Sequence, residues 1–295
     1  MKPLVGSFVA LASPFRQGAF DAEAYRALAL HLIDQGTDGL VPIGTTGEAA
    51  TMSPAEQTLA VRTAVEAAKG RVPVIAGAGG NSTSATIESV ARVREAGADG
   101  ALVVTPYYNK PTQDGLVAHY KAIAAAHQGY PLVAYNVPGR TGVDLLPETC
   151  KRLCDLAEVV GIKEATASMT RMVDLLEKCG AERLALLSGD DFTIAPFISL
   201  GGKGVISVSA NVAPRMVSDL VHAALKGDFK AASALQIKLN ALHRALFLEA
   251  NPIPVKAALH LLGRLGPEIR LPLTPMSEGP KTKLVEAMKE LKLLQ

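Results

Sequence analysis

Short apolar runs alternate along the chain with longer stretches in which apolar positions recur every three or four residues. The short runs, rich in Val, Ile, Leu and Ala, read as strands buried on both faces, and the longer stretches as amphipathic helices. The pattern predicts strands over 6–11, 39–43, 73–76, 100–104, 132–135, 159–164, 184–188 and 204–207. Between them it predicts helices over 21–35 with Asp21 as cap, from Pro54 onward, and over 82–96, 114–127, 169–178 and 214–226. Ser53-Pro54-Ala55-Glu56 carries a capping box with proline in the first turn. A shorter Pro147-led helix follows the fifth strand, and another runs to about residue 200. Gly36-Thr37-Asp38-Gly39 and Gly97-Ala98-Asp99-Gly100 each end a helix and feed a strand, a faint internal repeat.

Eight strand–helix units within residues 1–227 point to an α/β fold, a (β/α)8 TIM barrel. The competing fold is a doubly wound open sheet, which the absence of Gly-x-Gly-x-x-Gly after the first strand disfavours. Residues 228–295 read as a C-terminal helical domain: a helix to about 247, a break at Asn251-Pro252-Ile253-Pro254, a helix to about 262 and a last helix from about 281. Such an extension cannot bury its apolar faces alone, so it is expected to pack on the barrel or on a neighbour.

Composition narrows the function classes. Among 295 residues, 48% are hydrophobic and 20% charged, the balance of a globular chain with a large core. A net charge of +2 without a basic run gives no electrostatic case for nucleic acid. No stretch reaches the roughly 18–20 apolar residues of a membrane helix, and Met1-Lys2-Pro3-Leu4-Val5-Gly6 does not read as a signal peptide. The three cysteines, Cys150, Cys154 and Cys179, form no even framework, and a reducing cytoplasm is the expected location. All six histidines fall in predicted helices rather than at strand ends, which disfavours a metal-dependent mechanism; no metal or cofactor is expected.

In a barrel of this kind the chemistry sits at the C-terminal ends of the strands. There the sequence places Gly44-Thr45-Thr46-Gly47-Glu48, Thr105-Pro106-Tyr107-Tyr108-Asn109, Tyr135-Asn136 with Pro138-Gly139-Arg140-Thr141-Gly142 beyond, Lys163, Ser188-Gly189-Asp190-Asp191 and Ser207. A primary amine held out of water at a strand end becomes a nucleophile for carbonyl carbons, the Schiff-base route; the alternative is a lysine that snorkels to the surface. The Gly-Thr-Thr-Gly turn is a candidate nest for a carboxylate, or ordinary turn chemistry. Arg140 either recognises a carboxylate or pairs at the surface. One of Tyr107 and Tyr108 can be a packing residue, and Asp190-Asp191 reads as a helix cap rather than a metal site. Gly77-Ala78-Gly79-Gly80 lacks the Lys-Ser/Thr of a P-loop, and Gly201-Gly202-Lys203-Gly204 precedes a strand and so lies on the wrong face.

Together with Gly161-Ile162-Lys163-Glu164-Ala165-Thr166 and Asn251-Pro252-Ile253-Pro254-Val255-Lys256, these ordered motifs resemble the pyruvate-dependent class I aldolase family that includes N-acetylneuraminate lyase, and within it the dihydrodipicolinate synthase branch. The resemblance runs the whole length. It implies that Lys163 forms a Schiff base with pyruvate beside Tyr135 as proton donor and acceptor, with Thr45 and Tyr108 completing a hydroxyl relay. Tyr108 would reach in from the partner subunit of a tight dimer, and the assembly would be a homotetramer built as a dimer of dimers. Thr46 would hold the pyruvate carboxylate, the backbone near Gly189 and Ile206 would complete the pocket, and Arg140 would hold the carboxylate of L-aspartate 4-semialdehyde. Condensation of the two substrates to 4-hydroxy-tetrahydrodipicolinate, in diaminopimelate and lysine biosynthesis, is the implied activity. A sugar-acid lyase or related keto-acid aldolase is the alternative, against which Arg140 after Asn-Val-Pro speaks; an inactive binding paralogue is another.

The resemblance also bears on regulation. Lysine-inhibited relatives bind the amino acid near the turn after the second strand and the helix after the third. Here Asn81 and Tyr107 match that site, but Ala49, Pro54 and Ala85 stand where serine, histidine and glutamate are common. Weak or absent inhibition by L-lysine follows, unless Glu88 one turn further along substitutes for the missing carboxylate.

Overall fold

The computed structural model describes residues 2–180 and 182–294; Met1, where the N-terminal reading began, Ala181, and Gln295 at the end of the helical extension lie outside them. The barrel strands are β1 (Gly6–Ala10), β2 (Gly39–Val41), β3 (Ile75–Gly77), β4 (Gly100–Val104), β5 (Leu132–Asn136), β6 (Val159–Glu164), β7 (Ala185–Ser188) and β8 (Gly204–Ser207). All pair in parallel, in the order β2-β1-β8-β7-β6-β5-β4-β3. A parallel bridge between Leu40 and Val74, with Leu40 N donating to Pro73 O at 3.0 Å, joins the two ends of that order. The sheet therefore closes, and the doubly wound alternative falls.

Side-chain parity along the strands divides the core in two. Phe8, Ala10, Val41, Ile75, Leu102, Val133, Tyr135, Leu187 and Ile206 fill the barrel interior. Their alternates Val9, Leu40, Ala101, Val103, Leu132, Ala134, Ile162, Leu186 and Val205 face outward into the layer beneath the helices. This period of two is what lets one strand serve both layers. Lys163 follows outward Ile162, so it points into the barrel.

The helices α1 (Ala22–Asp34), α2 (Pro54–Ala68), α3 (Thr83–Glu95), α4 (Gln113–Ala126), α5 (Pro138–Thr141), α6 (Pro147–Leu153), α7 (Met169–Cys179), α8 (Ile194–Ser199) and α9 (Pro214–Leu225) connect the strands. Asp21, Ser53, Ser82, Thr112 and Ser168 accept backbone N–H groups at five of their starts, Ser53 within a complete capping box. Each such cap contributes about 1 kcal/mol. The repeated Gly-x-Asp-Gly has a shared cause. Gly36 and Gly97 take φ of 95° and 94° to leave α1 and α3. Two residues on, Asp38 and Asp99 accept Ser7 N and Val74 N, each at 2.8 Å, tying the entry of the neighbouring strand.

A small antiparallel hairpin, Phe15–Arg16 with Ala19–Phe20, was not anticipated from the sequence. Beyond the barrel, α10 (Phe229–Ala245), α11 (Ile253–Leu261) and α12 (Glu278–Glu290) pack on it, and Leu239, Leu242, Leu259 and Leu284 belong to the same buried cluster as the barrel helices. No described helix is long and apolar enough to cross a membrane.

Candidate active site

The register of the sheet makes the centre of the site. Tyr135 on β5 and Lys163 on β6 are paired neighbours, both of interior parity. Their side chains meet with Lys163 Nζ 4.3 Å from the Tyr135 ring centroid. Lys163 is 7% exposed and Tyr135 8%, and Lys163 takes part in no ion pair among the described residues. The outward-facing residues one step on, Asn136 and Glu164, lock the strand ends. Asn136 donates to Glu164 Oε2 at 3.0 Å and to Asp144 Oδ1 at 2.9 Å, and Glu164 accepts Thr166 N at 2.8 Å. Burial pushes the Glu164 carboxyl up, against the opposing pull of those hydrogen bonds.

Lys163 and Tyr135 open into a cavity of about 750 Å3 at the C-terminal end of the barrel, which Thr45, Thr46, Arg140 and Gly189 also line. The Gly44–Glu48 turn forms one wall. It follows Ile43, held at φ 48°, and ends on Glu48 at φ 52°; a β-branched residue there is a strained conformation, of a kind that clusters at functional sites. Gly47 N, Glu48 N and Ala49 N bond back within the turn, whereas the amides of Thr45 and Thr46 meet no acceptor among the described residues. Thr46 is buried and its hydroxyl accepts Asn251 Nδ2 at 3.0 Å; Thr45 is exposed to the cavity. Arg140, at the mouth, donates to Asn251 O at 3.3 Å.

Glycines of this wall are dictated by close approach. A Cβ on Gly77 would lie 2.3 Å from Ile43 O, and one on Gly79 2.3 Å from Val104 N. The Gly77-Ala78-Gly79 run, set aside as a phosphate loop, is thus part of the cavity wall for reasons of backbone contact.

The remaining expected residues divide. Tyr107 lines the cavity, whereas Tyr108 points away from its own chain at 87% exposure, with φ 74° and its N–H on Thr141 O. Ile206 lies in the barrel interior, and Val208, two residues on, reaches the cavity. Asp190 lines the cavity, and burial pushes its carboxyl up. Neither Asp190 nor Asp191 caps α8 through its side chain, contrary to the sequence reading. Asp191 instead turns inward and accepts Val208 N at 3.1 Å, Ser209 N at 3.0 Å and the hydroxyls of Ser207 and Ser209. Since Ser209 gives its one proton to Asp191, it accepts from Nδ1 of His243 at 2.7 Å. Asn251, Phe247 and Leu273 of the C-terminal extension also line the cavity, a role that no strand-end pattern foretells.

Residues 3–291 match the model of the dihydrodipicolinate synthetase family. The chain belongs to this family. It is 56% identical over 288 residues to 4-hydroxy-tetrahydrodipicolinate synthase of Anaeromyxobacter dehalogenans, covering 98% of this chain and 97% of that one. The relative of the same name from Geobacter sulfurreducens is 51% identical, with 98% and 99% covered. Among solved structures, a chloride-inhibited dihydrodipicolinate synthase from Acinetobacter baumannii, complexed with pyruvate, superposes with a TM-score of 0.96 at 45% identity, covering 99% of this chain and 100% of the other. The family fold thus includes the helical extension as well as the barrel.

Proposed function

We propose that this chain condenses pyruvate with L-aspartate 4-semialdehyde to 4-hydroxy-tetrahydrodipicolinate through an imine on Lys163. The observation that carries the reading is the buried Lys163–Tyr135 pair facing one cavity with Thr45, Thr46 and Arg140. Lys163 Nζ adds to C2 of pyruvate and water leaves, giving an iminium that acidifies the methyl group. The Tyr135 oxygen, relayed through Thr45 and the partner copy's equivalent of the exposed Tyr108, removes a methyl proton. The enamine carbon attacks the aldehyde, whose oxygen takes up a proton. The substrate amine then adds at C2, which closes the ring, and breaking of the C2–Nζ bond releases Lys163 as the free amine.

Binding follows the same geometry. Thr46 and the free amides of its turn suit the pyruvate carboxylate, with the backbone about Gly189 and Ile206 closing the pocket. Arg140 suits the second carboxylate because a guanidinium matches it bidentately. The product belongs to lysine and diaminopimelate biosynthesis, a cytoplasmic activity in this reading, and the assembly is a homotetramer built from dimers. The test is borohydride reduction with pyruvate followed by intact mass measurement. The wild-type chain should gain one reduced pyruvate adduct and Lys163→Ala, still folded, none; full trapping in Lys163→Ala would sink the assignment.

A further inference from the structure

Asn-Pro-Ile-Pro-Val-Lys, at the start of α11, does more than supply Asn251 to Thr46 and Arg140. Its Lys256 is buried and paired with Glu48, the two side chains being 4% and 1% exposed. The second Glu48 oxygen accepts Arg270 N at 3.0 Å. The Arg270 guanidinium clasps Glu56, at 3.0 Å through Nη1, and donates to Thr51 O at 3.0 Å. Both cations lie on the ring of Phe15, Lys256 Nζ at 4.5 Å and Arg270 Cζ at 4.0 Å from its centroid. The hairpin, the C-terminal extension and the end of the Gly44–Glu48 turn thus meet at one point.

A buried ion pair is a poor stabiliser compared with apolar side chains of the same volume, because both charges lose their hydration. Glu48 is also held in a left-handed conformation that non-glycine residues seldom adopt. Such an arrangement persists where its surroundings over-determine it. What it determines here is the position of the preceding residues, Thr45 and Thr46, on the cavity wall. Asn251, five residues before Lys256, bonds the Thr46 hydroxyl and receives Arg140. The extension therefore holds the turn at two points.

We propose that Glu48 and Lys256 are positioning residues of the reaction: their ion pair locks the Gly44–Glu48 turn so that the Thr45 hydroxyl stands in line for proton transfer and Thr46 meets the pyruvate carboxylate. This rests on the function proposed above and adds to it that the 251–256 segment of the C-terminal extension positions the catalytic turn. The lock acts through geometry, since both Glu48 carboxylate oxygens are already engaged, one by Lys256 Nζ and the other by Arg270 N.

The experiment compares wild type with Glu48→Gln, Lys256→Met and the double variant, which removes both charges while keeping volume. Pyruvate alone is the probe. Imine formation is read by borohydride trapping, and proton relay by exchange of the pyruvate methyl hydrogens in deuterated water, expressed per trapped imine. A displaced turn should slow exchange about tenfold or more in the double variant, raise KM for pyruvate and leave trapping at saturating pyruvate intact. Leu239→Ala, a cavity in the core outside the site, should lower Tm and leave exchange per imine unchanged. Wild-type exchange per imine in the double variant overturns the proposal, as does an equal loss in Leu239→Ala at matched Tm. If the double variant cannot be purified, isosteric Glu48→Gln carries the same expectation and the same overturning result. Failure of the wild-type chain to trap pyruvate would overturn the functional reading instead, a separate outcome.

Discussion

A methyl group at position 189 would lie 2.7 Å from Ala165 Cβ and 3.0 Å from Lys163 Cε; the lysine can lie across the cavity floor only because Gly189 has no side chain. Arg140 is the opposite case, an exposed residue anchored by one backbone acceptor, Asn251 O. Its guanidinium keeps donors free for a carboxylate at the mouth. Arg140→Ala should therefore raise KM for aspartate semialdehyde far more than KM for pyruvate, since a charged hydrogen bond is worth about 1.5–3 kcal/mol, or about ten- to a hundredfold. Initial rates with each substrate varied in turn decide this, and equal rises would make Arg140 a structural residue. The placement of Lys163 and Tyr135 at neighbouring strand ends was legible in the sequence because strand ends are a one-dimensional pattern. The Glu48–Lys256 contact was not, since its partners stand 208 positions apart and each motif alone has a bland explanation. Asp191 misled for a related reason: an acidic residue before a helix reads as a cap, and only the fold supplies the serine hydroxyls and amides that draw it inward.

Element boundaries moved where a single residue competes with the periodic pattern. β2 stops at Val41, because Pro42 has no N–H to donate and Ile43 turns left-handed. α12 begins at Glu278, three residues before the expected start, because a proline in the first turn forgoes no helical bond and so does not mark a boundary. The hairpin at Phe15 was illegible because two-residue strands have no alternation to detect. α3 bears on regulation. Its first turn holds no acidic residue, Ala85 there is exposed, and Glu88 is exposed but does not line the cavity that Ala49 and Tyr107 share. In this chain an ammonium arriving beside α3 would find no carboxylate in that turn, and a charged hydrogen bond of about 1.5–3 kcal/mol is forgone. L-Lysine should accordingly inhibit only weakly. Titration in a coupled assay measures this, and half-inhibition well below about a millimolar, roughly 4 kcal/mol of binding, would contradict it.

At the scale of the whole molecule, one chain does not complete the proposed relay. Tyr108 holds a bulky aromatic ring in a left-handed backbone conformation and presents it to solvent at 87% exposure. Both features cost free energy in an isolated chain, the backbone about 1–3 kcal/mol; the Tyr108 N–H is held on Thr141 O, but the ring is left uncovered. A second copy lying against this face would bury the ring and bring its hydroxyl toward a neighbouring cavity, the reciprocal arrangement that a two-fold interface imposes. Complementation separates this from a role within the same subunit. Tyr108→Phe leaves Lys163 in place and Lys163→Ala leaves Tyr108 in place, and each homodimer should be nearly inactive. In a hybrid, the cavity with intact Lys163 receives an intact Tyr108 from the other subunit, while the second cavity lacks both. Equal mixing with free exchange makes half the dimers hybrid, so about one site in four should work. Recovery toward a quarter of wild-type activity, with hybrids counted by native mass spectrometry, is the expected result. No recovery once hybrids have formed would return Tyr108 to the site of its own chain, where its exposed position leaves the proton relay through Thr45 without an end.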